Sequence, residues 1–304
     1  MKVISKSLKI STLSACSTSF LLKGLLLIVA YMALSSTALA GDRLLATGGV
    51  TQIEGVAGGG LVPWALIGGY GTDKQVGGSV FYTTARTQGG FTVDSGGFNV
   101  GVMNRIELSA AQVKFGLSNT VPGQSIKLDT IGVKLRLIGD AVYDQDTWIP
   151  QISVGALVKH NEDFNFIPKA IGAESASGVD YYMVATKLYL AAVAGRNLLL
   201  SLNLNATKAN QFGILGFGGD KHDNYSVQPA FSAGLMLTDK VILGAEYRSK
   251  PNNVSVYKEE DSKDIFLTWF PVRNLSLTGA YVDMGNIANK ENQRAWYLSG
   301  QILY

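Results

Sequence analysis

Side chains along the last eleven residues, Arg294–Tyr304 (RAWYLSGQILY), fall alternately on two faces. Trp296, Leu298, Gly300, Ile302 and Tyr304 lie on one, and Ala295, Tyr297, Ser299 and Gln301 on the other. A period of two belongs to a strand and not to a helix, whose apolar stripe recurs every three or four residues. The same alternation returns through most of the chain in segments of about ten residues, the length a tilted strand needs to cross a membrane. In Asn197–Ala209, for example, Leu198, Leu200, Leu202 and Leu204 oppose Ser201, Asn203, Asn205 and Thr207. The pattern predicts an all-β fold, a single antiparallel transmembrane β-barrel of about 12–14 strands.

The beginning of the chain reads differently. Lys2, Lys6, Lys9 and Lys23 make a basic leader, Leu25–Leu34 is an apolar core too short to span a bilayer, and Ala38-Leu39-Ala40 is a small-x-small cleavage site. The expectation is a cleaved signal peptide over residues 1–40 and a barrel over 41–304, with 41–60 either barrel wall, a plug or an edge segment. The box Leu13-Ser14-Ala15-Cys16 resembles a lipoprotein site, but the main apolar run follows it rather than precedes it.

Subtracting the leader changes the charge. Of 26 Lys and Arg, four lie in residues 1–40 with none of the 23 Asp and Glu, which leaves 22 against 23. No basic excess remains to attract nucleic acid. The one cysteine, Cys16, leaves as well, so the remainder has no disulfide or thiolate chemistry. A soluble β-sandwich would also alternate, but its outer faces would be rich in charge, and charged residues make up 16% of this chain.

Connection lengths orient the barrel. Pro271–Arg273, Thr238–Asp239, Ala194–Arg196, Asn104 and Gly71–Gln75 are short, as periplasmic turns are, and the connections between them are long, as outer loops are. Gly139–Ile149 breaks the rule, being long on the short side. Gly48–Val56 and Leu61–Tyr70 are candidate strands, although Gly58-Gly59-Gly60 and Pro63 weaken ladder pairing there. Trp148, Trp269, Phe270 and Tyr304 at one end and Trp64 and Trp296 at the other are expected to form two aromatic girdles.

Charges that alternate with lipid-facing residues belong in the lumen, because a cation at mid-bilayer costs about 2–4 kcal/mol. On that ground Lys134, Arg136, Lys187, Glu246, Arg248 and Lys250 are the candidate lumen and solute-binding residues. Five cations and one carboxylate suit an anionic solute or polymer. The competing expectation is that they pair with Glu107 and other acids and fill a narrow interior.

Catalysis, metal binding and cofactors find little support. His160 and His222 are both expected in outer loops, each near an aspartate, and a rim hydrolase built on either is a third alternative. Asp140, Asp144 and Asp146 could offer oxygens to calcium but equally serve as turn residues. Phe212–Asp220 (FGILGFGGD) is glycine-rich yet lacks a phosphate-loop lysine and is expected to fold into the barrel mouth or touch the membrane. No cofactor and no nucleic acid are expected. The expected partners are outer-membrane lipids and the outer-membrane assembly machinery, the latter through the C-terminal strand ending in Tyr304.

Several separated segments carry a family resemblance: ATGGVTQIEG at 46–55, GGGLVPW at 58–64, GDAVYDQDTWIPQ at 139–151, ATKANQFGILGFGG at 206–219 and EYRSKPNN at 246–253. In these the chain resembles an uncharacterised Gram-negative family catalogued as domain of unknown function 3034. The resemblance implies an outer-membrane barrel and no particular activity. Gly55–Tyr70 is also loosely similar to barrels linked with exopolysaccharide secretion, which implies a polymer-related role.

Overall fold

The computed structural model describes Arg43 and residues 45–117, 120–288 and 290–304. The leader over 1–40 lies outside the described residues.

Twelve antiparallel strands close on themselves. In chain order they are β3 (Val76–Thr87), β4 (Thr92–Val102), β5 (Ile106–Gly116), β6 (Ser125–Ile138), β7 (Gln151–Asn161), β8 (Ser177–Val193), β9 (Arg196–Thr207), β10 (Ser226–Thr238), β11 (Val241–Arg248), β12 (Ser262–Val272), β13 (Leu275–Asp283) and β14 (Arg294–Leu303). Each pairs with its sequence neighbours, and β14 pairs with β3, Gly300 opposite Tyr82, to close the ring. Closure leaves no unpaired edge, which is the condition for a sheet to survive in hydrocarbon. A four-residue helix, α1 (Ile167–Ala170), sits in the long β7–β8 connection.

The outer wall is apolar. Leu200, Leu202 and Leu204 on β9, Ile131, Val133 and Leu135 on β6 and Ile265 and Leu267 on β12 are all exposed. Ser201, Asn203, Asn205 and Thr207, one position out of phase, are buried in the interior. The alternation read from the sequence is therefore a lipid face against a lumen face.

The first two candidate strands are not in the wall. Residues 45–70 fold inside the barrel as a hairpin, in which β1 (Val50–Thr51) and β2 (Ala57–Gly58) pair, Val50 opposite Gly58, and a single further bridge joins Gly58 to Pro63. The glycines and Pro63 explain this: they spoil a continuous ladder but permit a tight fold within a narrow lumen. A side chain at Gly58 would strike the Val62 carbonyl and one at Gly68 the Asn99 amide. Trp64 is consequently 2% exposed in the plug, not in a girdle, and Phe270 is 1% exposed in the interior. Trp148, Trp269, Tyr304 and Trp296 are exposed on the outside as expected.

Both ends of the hairpin lie at the short-turn end. Tyr70 N–H donates to the carbonyl of Tyr304 at 2.9 Å, and Arg273 in the β12–β13 turn donates to the Arg43 carbonyl at 2.9 Å. The plug thus enters and leaves by one mouth without threading the barrel.

Candidate functional site

Inward-facing charge converges on the plug rather than on open space. Among the plug residues 43–70 the one carboxylate is Glu54, 1% exposed. It accepts from Arg248 Nη1 on β11 at 2.7 Å, from Lys159 Nζ on β7 and from Gln52 Nε2 of its own turn at 2.5 Å. Lys159 also bonds Asp180 on β8 at 2.6 Å, whose other oxygen accepts from Thr207 at 2.5 Å. A buried cation or carboxylate without such partners would cost several kcal/mol.

A second clasp lies on β5 and β6. Glu107 and Lys134 are register neighbours, and the Lys134 ammonium stands 3.1 Å from the Glu107 carboxylate. Lys134 donates to the plug carbonyls of Ala57 and Leu66, both at 2.9 Å, while Glu107 accepts from the plug amides of Ala57 at 3.0 Å and Gly68 at 2.7 Å. This pair makes four hydrogen bonds to backbone groups of a hairpin whose own ladder is only two residues long. Ser95, Asn99, Ser153 and Thr186 make further wall-to-plug bonds.

The long-loop mouth is closed by the β9–β10 connection. Residues 209–217 turn inward through a 3-10 turn, Asn210–Gly213, and bury Phe212, Ile214, Leu215 and Phe217. Gln211 and Phe212 have φ of 46° and 62°, a left-handed conformation rare outside glycine, held because surrounding bonds over-determine it. Gln211 N–H donates to Glu259 Oε1 at 2.9 Å, and its side-chain oxygen accepts from Lys250 at 3.2 Å. Lys250 stands 3.5 Å from Glu259, which burial pushes above the usual carboxylate range despite that ammonium. Above the plug, Phe91 and Phe115 stack at 5.2 Å beside this cap.

Plug and cap are joined through the same two cations. Lys159 Nζ donates to the Phe212 carbonyl at 3.1 Å as well as to Glu54, and the Arg248 guanidinium lies 4.2 Å from the centre of the Phe212 ring. Between the two closures remains a cavity of about 30 Å³ lined by apolar side chains including Ile53 and Leu215.

Of the six residues expected in the lumen, Lys134, Glu246, Arg248 and Lys250 are buried in the interior, Arg136 points inward at the short-turn mouth, and Lys187 does not face it. Lys187 is paired with Leu200, an exposed outer-wall residue, so it belongs to the outer face. Its ammonium is covered by the Asp144 and Ile149 carbonyls of the long β6–β7 turn, which lies against β8 beyond the last β7 pair, Gln151 with Thr186. Arg136 bonds Asp140 of that turn at 2.9 Å. The residues missed from sequence are Glu54, Lys159 and Asp180. The excess of inward cations was the signal that an acid had to come from elsewhere.

His160 sits in β7 rather than in a loop, on the exposed outer face, with Nδ1 2.7 Å from Ser177 Oγ. Asp129 is opposite His160 in register but accepts from Gln112 at 2.8 Å. His222 is exposed in the β9–β10 connection, apart from both. Asp140 spends its oxygens on Arg136 and on the Val142 and Tyr143 amides.

A closed barrel with an apolar outer wall and a hairpin, clasped by charged wall residues, filling its lumen is a plugged β-barrel of the membrane-spanning kind. Residues 47–301 match the family described as "Protein of unknown function (DUF3034)", and the chain belongs to that family. Among solved structures it is similar to the NanC porin at 9% identity over 73% of this chain and 98% of that one, with a TM-score of 0.49. The KdgM porin is similar at 9% identity over 74% and 99%, TM-score 0.47. The COG4313 outer membrane channel from Pseudomonas putida F1 is similar at 10% over 80% and 97%, TM-score 0.36. No curated protein matches the sequence.

Proposed function

We propose that this protein is an outer-membrane passage for a polar solute or polymer, shut at rest by its own N-terminal hairpin. It would reach the Gram-negative outer membrane after cleavage behind Ala40, and its last strand, ending in Tyr304, would be read by the assembly machinery. The observation that carries the reading is the shared clasp: Glu54 is held by Lys159 and Arg248, and both also hold Phe212 of the cap. One carboxylate therefore underlies both closures, and the hairpin can withdraw through the mouth by which it enters. With the plug out, Lys134, Lys159, Arg248 and Lys250 would line the lumen together with Glu107, Asp180, Glu246, Asp264 and Glu259, a polar lining of both signs that suits a hydrated solute.

The second reading is a permanently closed barrel that acts through its outer loops, favoured by the packed aromatic cap around Phe91, Phe115 and Phe217. Conductance in planar bilayers separates the two. The passage reading expects small, rare openings for the unaltered protein and frequent openings for Glu54→Gln. Silence from both, with folding intact, would support the closed barrel instead.

A further inference from the structure

The interior holds a second acidic feature that none of these clasps uses. Glu246 on β11 and Asp264 on β12 are directly opposite one another in register, and both side chains point inward. They are 4% and 6% exposed. Opposed residues in an antiparallel pair have Cβ atoms about 4.5–5.5 Å apart, and like charges there repel. Among the described residues no Lys, Arg or His forms an ion pair with either; the nearest inward cation along β11, Arg248, is taken by Glu54. Glu246 Oε1 and Asp264 Oδ1 have no hydrogen-bond partner.

The other elements facing the pair add no charge. β10 presents Ser232 opposite Glu246, β13 presents Val282 opposite Asp264, and β14 presents the buried hydroxyl of Tyr297. The plug presents backbone: Leu61 N–H donates to Glu246 Oε2 at 2.6 Å. Gly60 lies between Tyr297 and Asp264, and Gly59 approaches Glu246 so closely that a β-carbon there would overlap its carboxylate.

Two buried carboxyl groups facing each other without a cation cannot both be ionised at small cost; one proton shared by the pair resolves the repulsion. The ionised member is then free to accept from the plug turn. We infer that Glu246 and Asp264 form a proton-dependent latch on the plug, which holds the Gly59–Leu61 turn while the pair keeps one proton and releases the turn when that proton is lost. The inference rests on the reading of residues 45–70 as a displaceable plug, and deepens it by naming what displaces it.

The experiment reads the plug directly. Trp64 is buried in it, and the chain's other three tryptophans, Trp148, Trp269 and Trp296, can be changed to phenylalanine to leave one reporter. In the folded, detergent-purified protein, iodide quenching of Trp64 is measured from neutral to alkaline pH. The expected result is a rise governed by one proton, in which the accessible population grows by about tenfold per pH unit through the transition. Asp264→Asn and Glu246→Gln each remove one ionisable group and should flatten the response while Trp64 stays protected. A flat response in the reporter protein, or an undiminished rise in both variants, overturns the latch. Heat-modifiability on gels verifies that each barrel is closed, and either variant alone suffices if the other does not fold. Because quenching is independent of conductance, a silent bilayer with a pH-dependent Trp64 would sink the passage and leave the latch standing.

Discussion

Glu54 and Arg248 are 194 residues apart in the chain and 2.7 Å apart in the barrel. The bond ties the tip of the plug to a wall strand, and the same guanidinium rests on the Phe212 ring of the cap. Removing the carboxylate leaves Arg248 with a carbonyl, that of Leu61, but no carboxylate, and leaves Lys159 with Asp180 as its one anionic partner. Loss of one partner in a buried network costs on the order of 3 kcal/mol. Glu54→Gln is therefore expected to loosen plug and cap together while the twelve-strand ladder remains, seen as iodide access to a lone Trp64 with unchanged heat-modifiability. Protection of Trp64 equal to that of the unaltered reporter would show that the clasp does not hold the plug.

Gly59 and Gly60 make opposite predictions although they are adjacent. A methyl group at Gly59 would fall on the Glu246 carboxylate, whereas at Gly60 its nearest neighbour would be the Tyr297 ring at 3.6 Å, an ordinary contact. Gly59→Ala should displace the turn and lower the urea concentration at which Trp64 becomes accessible. Gly60→Ala should leave that concentration within error of the parent. Equal behaviour of the two would mean the turn is not seated as described.

What could be read beforehand depended on period. Leu200, Leu202 and Leu204 against Ser201 and Asn203 were legible because a two-residue repeat has one structural meaning when it recurs along a chain. Residues 48–56 and 61–70 alternate in the same way, and the local signal against a wall strand is weaker: Gly58-Gly59-Gly60 and Pro63 spoil a ladder, which keeps a plug over 41–60 among the expectations without deciding for it. Trp64 was misplaced with them. Lys187 was misread because parity had to be counted along a strand whose outer-face lysine is covered by the long turn over 139–150. The clasp itself joins residues 105 and 194 positions apart, so no local spacing could announce it.

The facing of β9 is open to direct test. Leu202 lies mid-strand on the exposed outer wall, and its neighbour Asn203 is buried on the lumen side. Leu202→Arg places a cation in hydrocarbon and should cost about 2–4 kcal/mol. Folding into lipid vesicles followed by urea titration should register that loss. Asn203→Ala, on the other side of the same strand, should change the midpoint by far less. A larger loss for Asn203→Ala would invert the assigned faces.

The β6–β7 turn carries a pH dependence whose sign follows from Asp140. Burial raises the affinity of its carboxyl for a proton, but the Tyr143 and Val142 amides and the Arg136 guanidinium outweigh burial and hold it below the usual carboxylate range. A folded-state value below the unfolded one means the stabilisation is fully present above the unfolded value, about 3.9, and is lost as pH falls through the folded one. Neutral and mildly acidic solutions should therefore leave the turn intact, and stronger acid should release it. Amide hydrogen exchange at Val142 and Tyr143, corrected for the intrinsic pH dependence by comparison with Asp140→Asn, reads this directly. The parent should lose protection in strong acid, and the asparagine variant, which cannot ionise, should show weaker protection with no acid-dependent change. An acid-dependent loss of equal size in Asp140→Asn would assign the effect to another group.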